Sequence, residues 1–243
     1  MKNKFVFYKL TPIYAGILVL LFTISWWGNR VISTASQNIS APMGKIVIID
    51  AGHGGVDGGA TSVNGVLESK INLEIAQKLN DLLHLLGIHT KMIRTEDISI
   101  YTEGESIAAK KVSDIKNRIK IVNETEDGIL ISIHQNHFSE AKYKGAQIFY
   151  RPFGDSMQLA EKMQTAFRET INPGNRRKIK KASGVYLLQN IQKTGILIEC
   201  GFISNPEEAS LLCNATYQNK VATVIATTIS RYFSETASLD LIS

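Results

Sequence analysis

Cysteine is nearly absent: Cys200 and Cys213 are the only two in 243 residues. Such a pair makes neither a disulfide framework nor a CxxC metal cassette, so both are read as small apolar packing residues. Cys200 directly follows a glutamate, but no histidine stands paired with it in sequence, which argues against a nucleophilic thiol. Helix-turn-helix, zinc-finger and aromatic-rich RNA-binding signatures are also missing, and the formal net charge of +5 is only a mild excess. That excess favours encounter with polyanions such as nucleic acid, anionic lipid or cell-wall polymer without choosing among them. Lacking the motifs, no nucleic-acid partner is expected. HExxH, GKS/GKT and GxGxxG are absent too, which removes the commonest zinc-protease cassette and the nucleotide-phosphate loops. A hydrophobic content of 44% with 20% charged residues excludes disorder.

One long uncharged run does occur. Ile13–Trp27 follows Lys2, Lys4 and Lys9, the order of the n-region and h-region of an export signal. The run is short for a full span, Trp26 and Trp27 suit a membrane interface, and Ser33-Thr34-Ala35 resembles a cleavage site. A cleaved signal and a retained anchor both remain open. The lysines place the N-terminus in the cytoplasm and the domain outside, exported across the membrane. The expected organisation is a signal or membrane anchor over 1–28, a polar linker over 29–43, a catalytic domain over 44–236 and a tail over 237–243.

Within the domain, Lys45–Asp50 is a β-branched run ending in a glycine-rich turn, which reads as a buried parallel strand. Ile71, Ile75, Leu79, Leu82, Leu83 and Leu86 mark a helix over Ser69–Leu86, stopped by Gly87. Ile88–Ile93 is a second strand, Ile98–Ala109 an irregular insertion, and Val112, Ile115, Ile119 and Val122 mark another helix. Gly128–Ile133 is a third strand and Ala146–Tyr150 a strand towards an edge. A helix then ends near Pro173-Gly174, and Val185–Leu188 and Gly195–Ile198 are two more strands. Asn205-Pro206-Glu207-Glu208 starts a capped helix, and Val221 to Phe233 line the last one. This alternation predicts an α/β fold: a mostly parallel twisted sheet of about six strands, flanked by helices on both faces.

The strongest strands lead into chemistry. The first ends at Ala51-Gly52-His53-Gly54-Gly55, the third runs directly into His134, and Gly195–Ile198 runs directly into Glu199. Open α/β sheets build sites at the carboxyl ends of their strands, so two histidines and a carboxylate converge on one rim. Glu68 begins the first helix close by. His53, Glu68 and His134 make a His₂Glu set that leaves one tetrahedral position free, as a catalytic zinc requires. The rival reading of the glycine-rich turn is a phosphate cradle, and a lone loop histidine is commonly structural.

AGHGGVDGGA, Glu68 in LESKIN, SIHQN and LIECGFISNPEEA occur in order, and together they resemble the zinc amidase family that cleaves N-acetylmuramoyl-L-alanine bonds, the amidase-3 type. The resemblance spans residues 45–235. YKGAQIFY and SGVYLLQNIQKTGILIECGFISNPEEASLL are most similar to its germination-specific, spore-cortex branch. By matched position the resemblance implies zinc ligands at His53, Glu68 and His134, one zinc ion per chain, and a catalytic glutamate at Glu199. It further implies a peptidoglycan substrate in the cortex space of the forming spore, and a functional link to a muramic acid deacetylase in forming muramic-δ-lactam.

Other features carry alternatives. His137 departs from the family's usual run after SIH and is an alternative ligand, a substrate contact or a solvent-facing histidine. Asn175–Lys181 is the densest basic stretch, either a binder of anionic wall polymer or a solvated loop. Arg94 and Arg118 position substrate or carboxylates, or pair at the surface. Asp97–Ala109 is a candidate lid or docking loop for an activating envelope or spore protein. A catalytically silent wall-binding scaffold and a zinc peptidase acting within the stem peptide are the competing functions.

Overall fold

The computed structural model describes residues 44–240; the export segment and linker expected before them lie outside the described residues. Four β-branched residues in succession start β1 (Ile46–Ala51), and the strand is buried along nearly its whole length, as a central parallel strand must be. It is followed by α1 (Glu68–Leu85), β2 (Thr90–Met92), α2 (Ile107–Glu124), β3 (Gly128–Asn136) and β4 (Gln147–Tyr150). Then come α3 (Ser156–Thr170), β5 (Lys180–Lys181), α4 (Tyr186–Asn190), β6 (Thr194–Phe202), α5 (Pro206–Leu212) and α6 (Ala215–Asp240). The strands form one six-stranded sheet in the order β2-β1-β3-β6-β4-β5. β1 pairs in parallel with β2 and β3, and β3 with β6, whereas β4 runs antiparallel to β6 and carries β5 beside it.

Alternation along the strands divides the core. Val47, Ile49, Ile131, Ile133, Ile196 and Ile198 face α1, α3 and α6, and Ile48, Leu130 and Leu197 face α2 and α4 on the other side. Helices therefore cover both faces, as the strand–helix alternation predicts. Among the described residues no helix is long and apolar enough to cross a membrane.

Helix boundaries follow local chemistry. At the end of α1 the Gly87 N–H donates to the His84 carbonyl and the Ile88 N–H to that of Leu83, a paired closure that satisfies the last carbonyls. Ser106 Oγ caps α2 by accepting from Ala109 N, and Asn205 caps α5 with Pro206 behind it.

Two expectations are corrected. Val185–Leu188 is not a strand: α4 takes most of it, burying Leu187 and Leu188 from one helical turn. A four-residue apolar run carries no periodicity that separates the two states. The sixth strand is instead β5, two exposed lysines inside the basic stretch. It is held by backbone pairing to Phe149 and Tyr150, so it needs no apolar pattern. The last helix, α6, runs on to Asp240.

Candidate metal centre

His53, Glu68 and His134 meet at the carboxyl rim of β1 and β3, each offering a ligand atom within 4.8 Å of the others. Each oxygen of Glu68 faces one ring: His53 Nε2 lies 3.3 Å from Oε2 and His134 Nδ1 lies 3.0 Å from Oε1. The rings stand at 75° with centroids 4.9 Å apart, so their nitrogens approach the carboxylate from different directions. Imidazole and carboxylate donors in such a cluster fit zinc, and suit other transition metals as well.

Local sequence explains the convergence. Gly52 must lack a side chain, because a Cβ there would overlap the His134 ring. Gly59 also borders the centre, with a Cβ falling 2.7 Å from Glu68 Oε2 and from His53 Cδ2. His53 sits in the left-handed region at φ 61°, a conformation that costs a non-glycine residue about 1–2 kcal/mol. It is held there by Arg118 Nη2, which donates to the His53 carbonyl at 2.7 Å. Glu68 is the first residue of α1, where the helix dipole favours a carboxylate.

Arg94 and Arg118 are not surface pairs. Both are buried: Arg94 donates to the carbonyls of Ala51, Gly52 and Ser69, clamping the turn after β1 to α1. Arg118 Nη1 pairs with Asp50 at 2.5 Å and its Nε with Asp114 at 2.6 Å, so it does position neighbouring carboxylates. Sequence reasoning missed Asp57, whose Oδ2 lies 2.8 Å from His53 Nδ1 while Oδ1 pairs with Lys111 at 2.6 Å. Its spacing of four residues from His53 was the available signal, hidden because that segment is a turn and not a helix. The carboxylate–imidazole pair turns Nε2 of His53 towards Glu68.

Charge follows from these contacts. Burial works against a charged His53, yet the Asp57 and Glu68 carboxylates outweigh it and lift its pKa to about 9. Burial also opposes ionisation of Glu68, but hydrogen bonds from His134 and His53 hold it well below the usual carboxylate range. A metal must displace the proton that His53 otherwise carries, so affinity falls as pH is lowered.

Glu199 stands in register with His134 across β3 and β6. Its Oε2 is sealed from solvent without a hydrogen-bond partner. Burial lifts its pKa to about 7, with His134 pulling it down and Glu68 pushing it up. His53 and His134 also line a cavity of about 170 Å³ walled by Lys111, Ile115, Val185 and Tyr186. A larger hollow of about 700 Å³ opens by Lys144, Arg177 and Glu208, and none of the clustered metal-ligating residues lines it.

The remaining candidates lie elsewhere. His137 is exposed and outside the donor cluster. Cys200 is fully buried, and burial raises its thiol far above the ordinary value, which fits packing and not nucleophilic attack. Residues 97–105 form a strap tied down by side chains: Asp97 accepts from Gly55 N, Asp114 from Ile100 N, and Asn117 donates to the Ile100 carbonyl.

Comparison with known proteins agrees with this architecture. The family of N-acetylmuramoyl-L-alanine amidases (amidase-3) matches residues 47–231. The germination-specific N-acetylmuramoyl-L-alanine amidase of Bacillus subtilis is 38% identical over 223 residues, covering 90% of this chain and 92% of that one. The structure of the CwlD amidase from Clostridioides difficile, solved in complex with the GerS lipoprotein, superposes with a TM-score of 0.75 at 37% identity. That match covers 78% of this chain and 98% of the other. An N-acetylmuramoyl-L-alanine amidase from Clostridium difficile 630 gives a TM-score of 0.67 at 29% identity, covering 78% and 97%. A match across three quarters of the sequence, on a fold shared over nearly the whole length of its solved relatives, makes this chain a member of the N-acetylmuramoyl-L-alanine amidase family.

Proposed function

We propose that this amidase hydrolyses the bond between N-acetylmuramic acid and L-alanine in spore-cortex peptidoglycan, with one zinc ion held by His53, Glu68 and His134. The observation that supports this most is the rim itself: three converging donors with an unpartnered acid, Glu199, in register beside them. The chemistry such an ion supplies is polarisation of the scissile carbonyl and a lowered pKa for water. Glu199 takes the proton of the attacking water and returns it to the departing amine of L-alanine. A carboxyl lifted to about 7 is matched to both transfers, and a neighbouring cation draws it towards the ionised form. Asp57 holds His53 in the orientation that keeps Nε2 available.

In this reading residues 1–28 export or anchor the chain, so that the domain meets its substrate outside the cytoplasmic membrane, in the cortex space of the forming spore. Removal of stem peptides there prepares muramic acid for a deacetylase and hence for muramic-δ-lactam. The solved relative in complex with a lipoprotein supports an envelope protein as partner here too.

The test is digestion of cortex peptidoglycan by the full-length protein, with metal content measured in parallel. Zinc near one per chain and released peptides headed by L-alanine are expected. Cuts within the stem would identify a peptidase instead. Bound zinc without any cleavage, even with a lipoprotein partner present, would leave the silent scaffold.

A further inference from the structure

Beneath the three donors lies a chain of buried amides that no metal ligand explains. Asn72 is fully buried one helical turn along α1 from Glu68, the spacing that brings two side chains together on a helix face. Its amide nitrogen donates to Glu68 Oε1 at 3.3 Å and to the Gly52 carbonyl at 3.1 Å. Its oxygen accepts from Gln135 Nε2 at 3.1 Å. Gln135 also donates its backbone N–H to Glu68 Oε1 at 3.1 Å, and Ala60 N secures the other carboxylate oxygen at 3.1 Å.

The directions of these bonds are forced. A carboxylate and a carbonyl only accept, so Asn72 must turn its nitrogen to Glu68 and Gly52. Its oxygen then faces Gln135, which must answer with a donor. That requirement leaves Gln135 Oε1 buried with no partner, a state that costs free energy relative to an apolar side chain of the same shape.

We propose that Asn72 and Gln135 are positioning residues for the metal centre: Asn72 fixes the rotation of the Glu68 carboxylate, and Gln135 fixes the amide of Asn72. This rests on the zinc centre proposed above. Groups that orient metal ligands commonly contribute about tenfold to a hundredfold in affinity. Methionine matches glutamine in length but has no amide, so Gln135→Met removes the orphaned oxygen of Gln135 and leaves Asn72 Oδ1 without its donor in exchange.

The experiment titrates zinc into chelator-stripped full-length protein against a competing indicator, with thermal melts of the zinc-free proteins alongside. Gln135→Met is expected to bind zinc about tenfold more weakly while its zinc-free melting temperature changes little, because one orphaned oxygen replaces another. Asn72→Asp, which sets a second carboxylate against Glu68 where a donor stood, is expected to lose more affinity still. A purely structural role would lower the zinc-free melting temperature of Gln135→Met and leave its affinity intact, and that result overturns the proposal. Wild-type protein that binds no zinc would instead overturn the metal centre itself, and this inference with it.

Discussion

Asp50 and Glu199 stand on the same face of the sheet, two strands apart, and their surroundings drive them in opposite directions. Asp50 is buried but fully answered: Arg118 pairs with one oxygen and Ser132 donates to the other at 2.6 Å. Burial alone would raise its pKa, yet Arg118, His134 and Ser132 pull it below the ordinary value. Glu199 has no such partner for Oε2, and burial carries it to about 7. A carboxylate locked in one ionisation state is part of the scaffold. One held near the working pH is able to exchange protons. On the proposed function, Asp50 then belongs to the framework of the rim and Glu199 is the acid suited to proton transfer.

The largest effect should come from changing Glu199, the member proposed to react. Glu199→Gln keeps the shape and removes the exchangeable proton, so turnover on peptidoglycan should fall about 10²–10⁴-fold. Zinc content should stay near one per chain. Joint loss of zinc and activity would make Glu199 part of the binding site and erase the contrast with Asp50.

Breaking the structural member should act on stability. Arg118→Met leaves Asp50 buried and unpaired and frees the His53 carbonyl, an expected loss of about 3–5 kcal/mol in unfolding free energy. The sign with pH follows from the depressed pKa of Asp50. Its contribution is fully present above the unfolded value near 3.8 and is lost as pH falls through the folded value. Wild type should therefore shed stability below about pH 4 more steeply than Arg118→Met, which has already lost the pairing. Parallel acid denaturation curves would mean that the ion pair contributes nothing net, as some buried pairs do.

Much of this rim is legible in the sequence because parallel strands deliver their ends to one side. His53, His134 and Glu199 each follow an apolar run, and Glu68 opens the helix that returns to the same rim. The supports are harder to read. Asp57 meets His53 across a turn, Arg118 reaches Asp50 from 68 residues away, and Gln135 reaches Asn72 from 63 away; no local period records such pairings. The β4–β5 edge was legible only in part for a different reason. β5 is set by backbone pairing alone, and α4 overlaps a four-residue apolar run, Val185–Leu188, that reads equally well as a strand.

The smallest expected effect sharpens the comparison without any substrate. In zinc-free protein the folded pKa of Glu199, about 7, lies above the unfolded value near 4.5. The folded state then binds more protons between those values, so stability falls as pH rises from about 4.5 to about 7 and the penalty persists above. Glutamine has no proton to lose, so Glu199→Gln should match wild type at pH 4.5 and exceed it at pH 8. Because Glu199 keeps partial contact with solvent, the gain is screened to the order of 1 kcal/mol, or about 2–4 °C in melting temperature. Titration of His53 occurs in both proteins and largely cancels in the difference. Asp50→Asn in the same melts should show the opposite sign, losing stability at pH 8 where the wild-type pair with Arg118 is intact. Two variants that shift alike would mean that burial alone, and not the presence or absence of a partner, sets the behaviour of both acids.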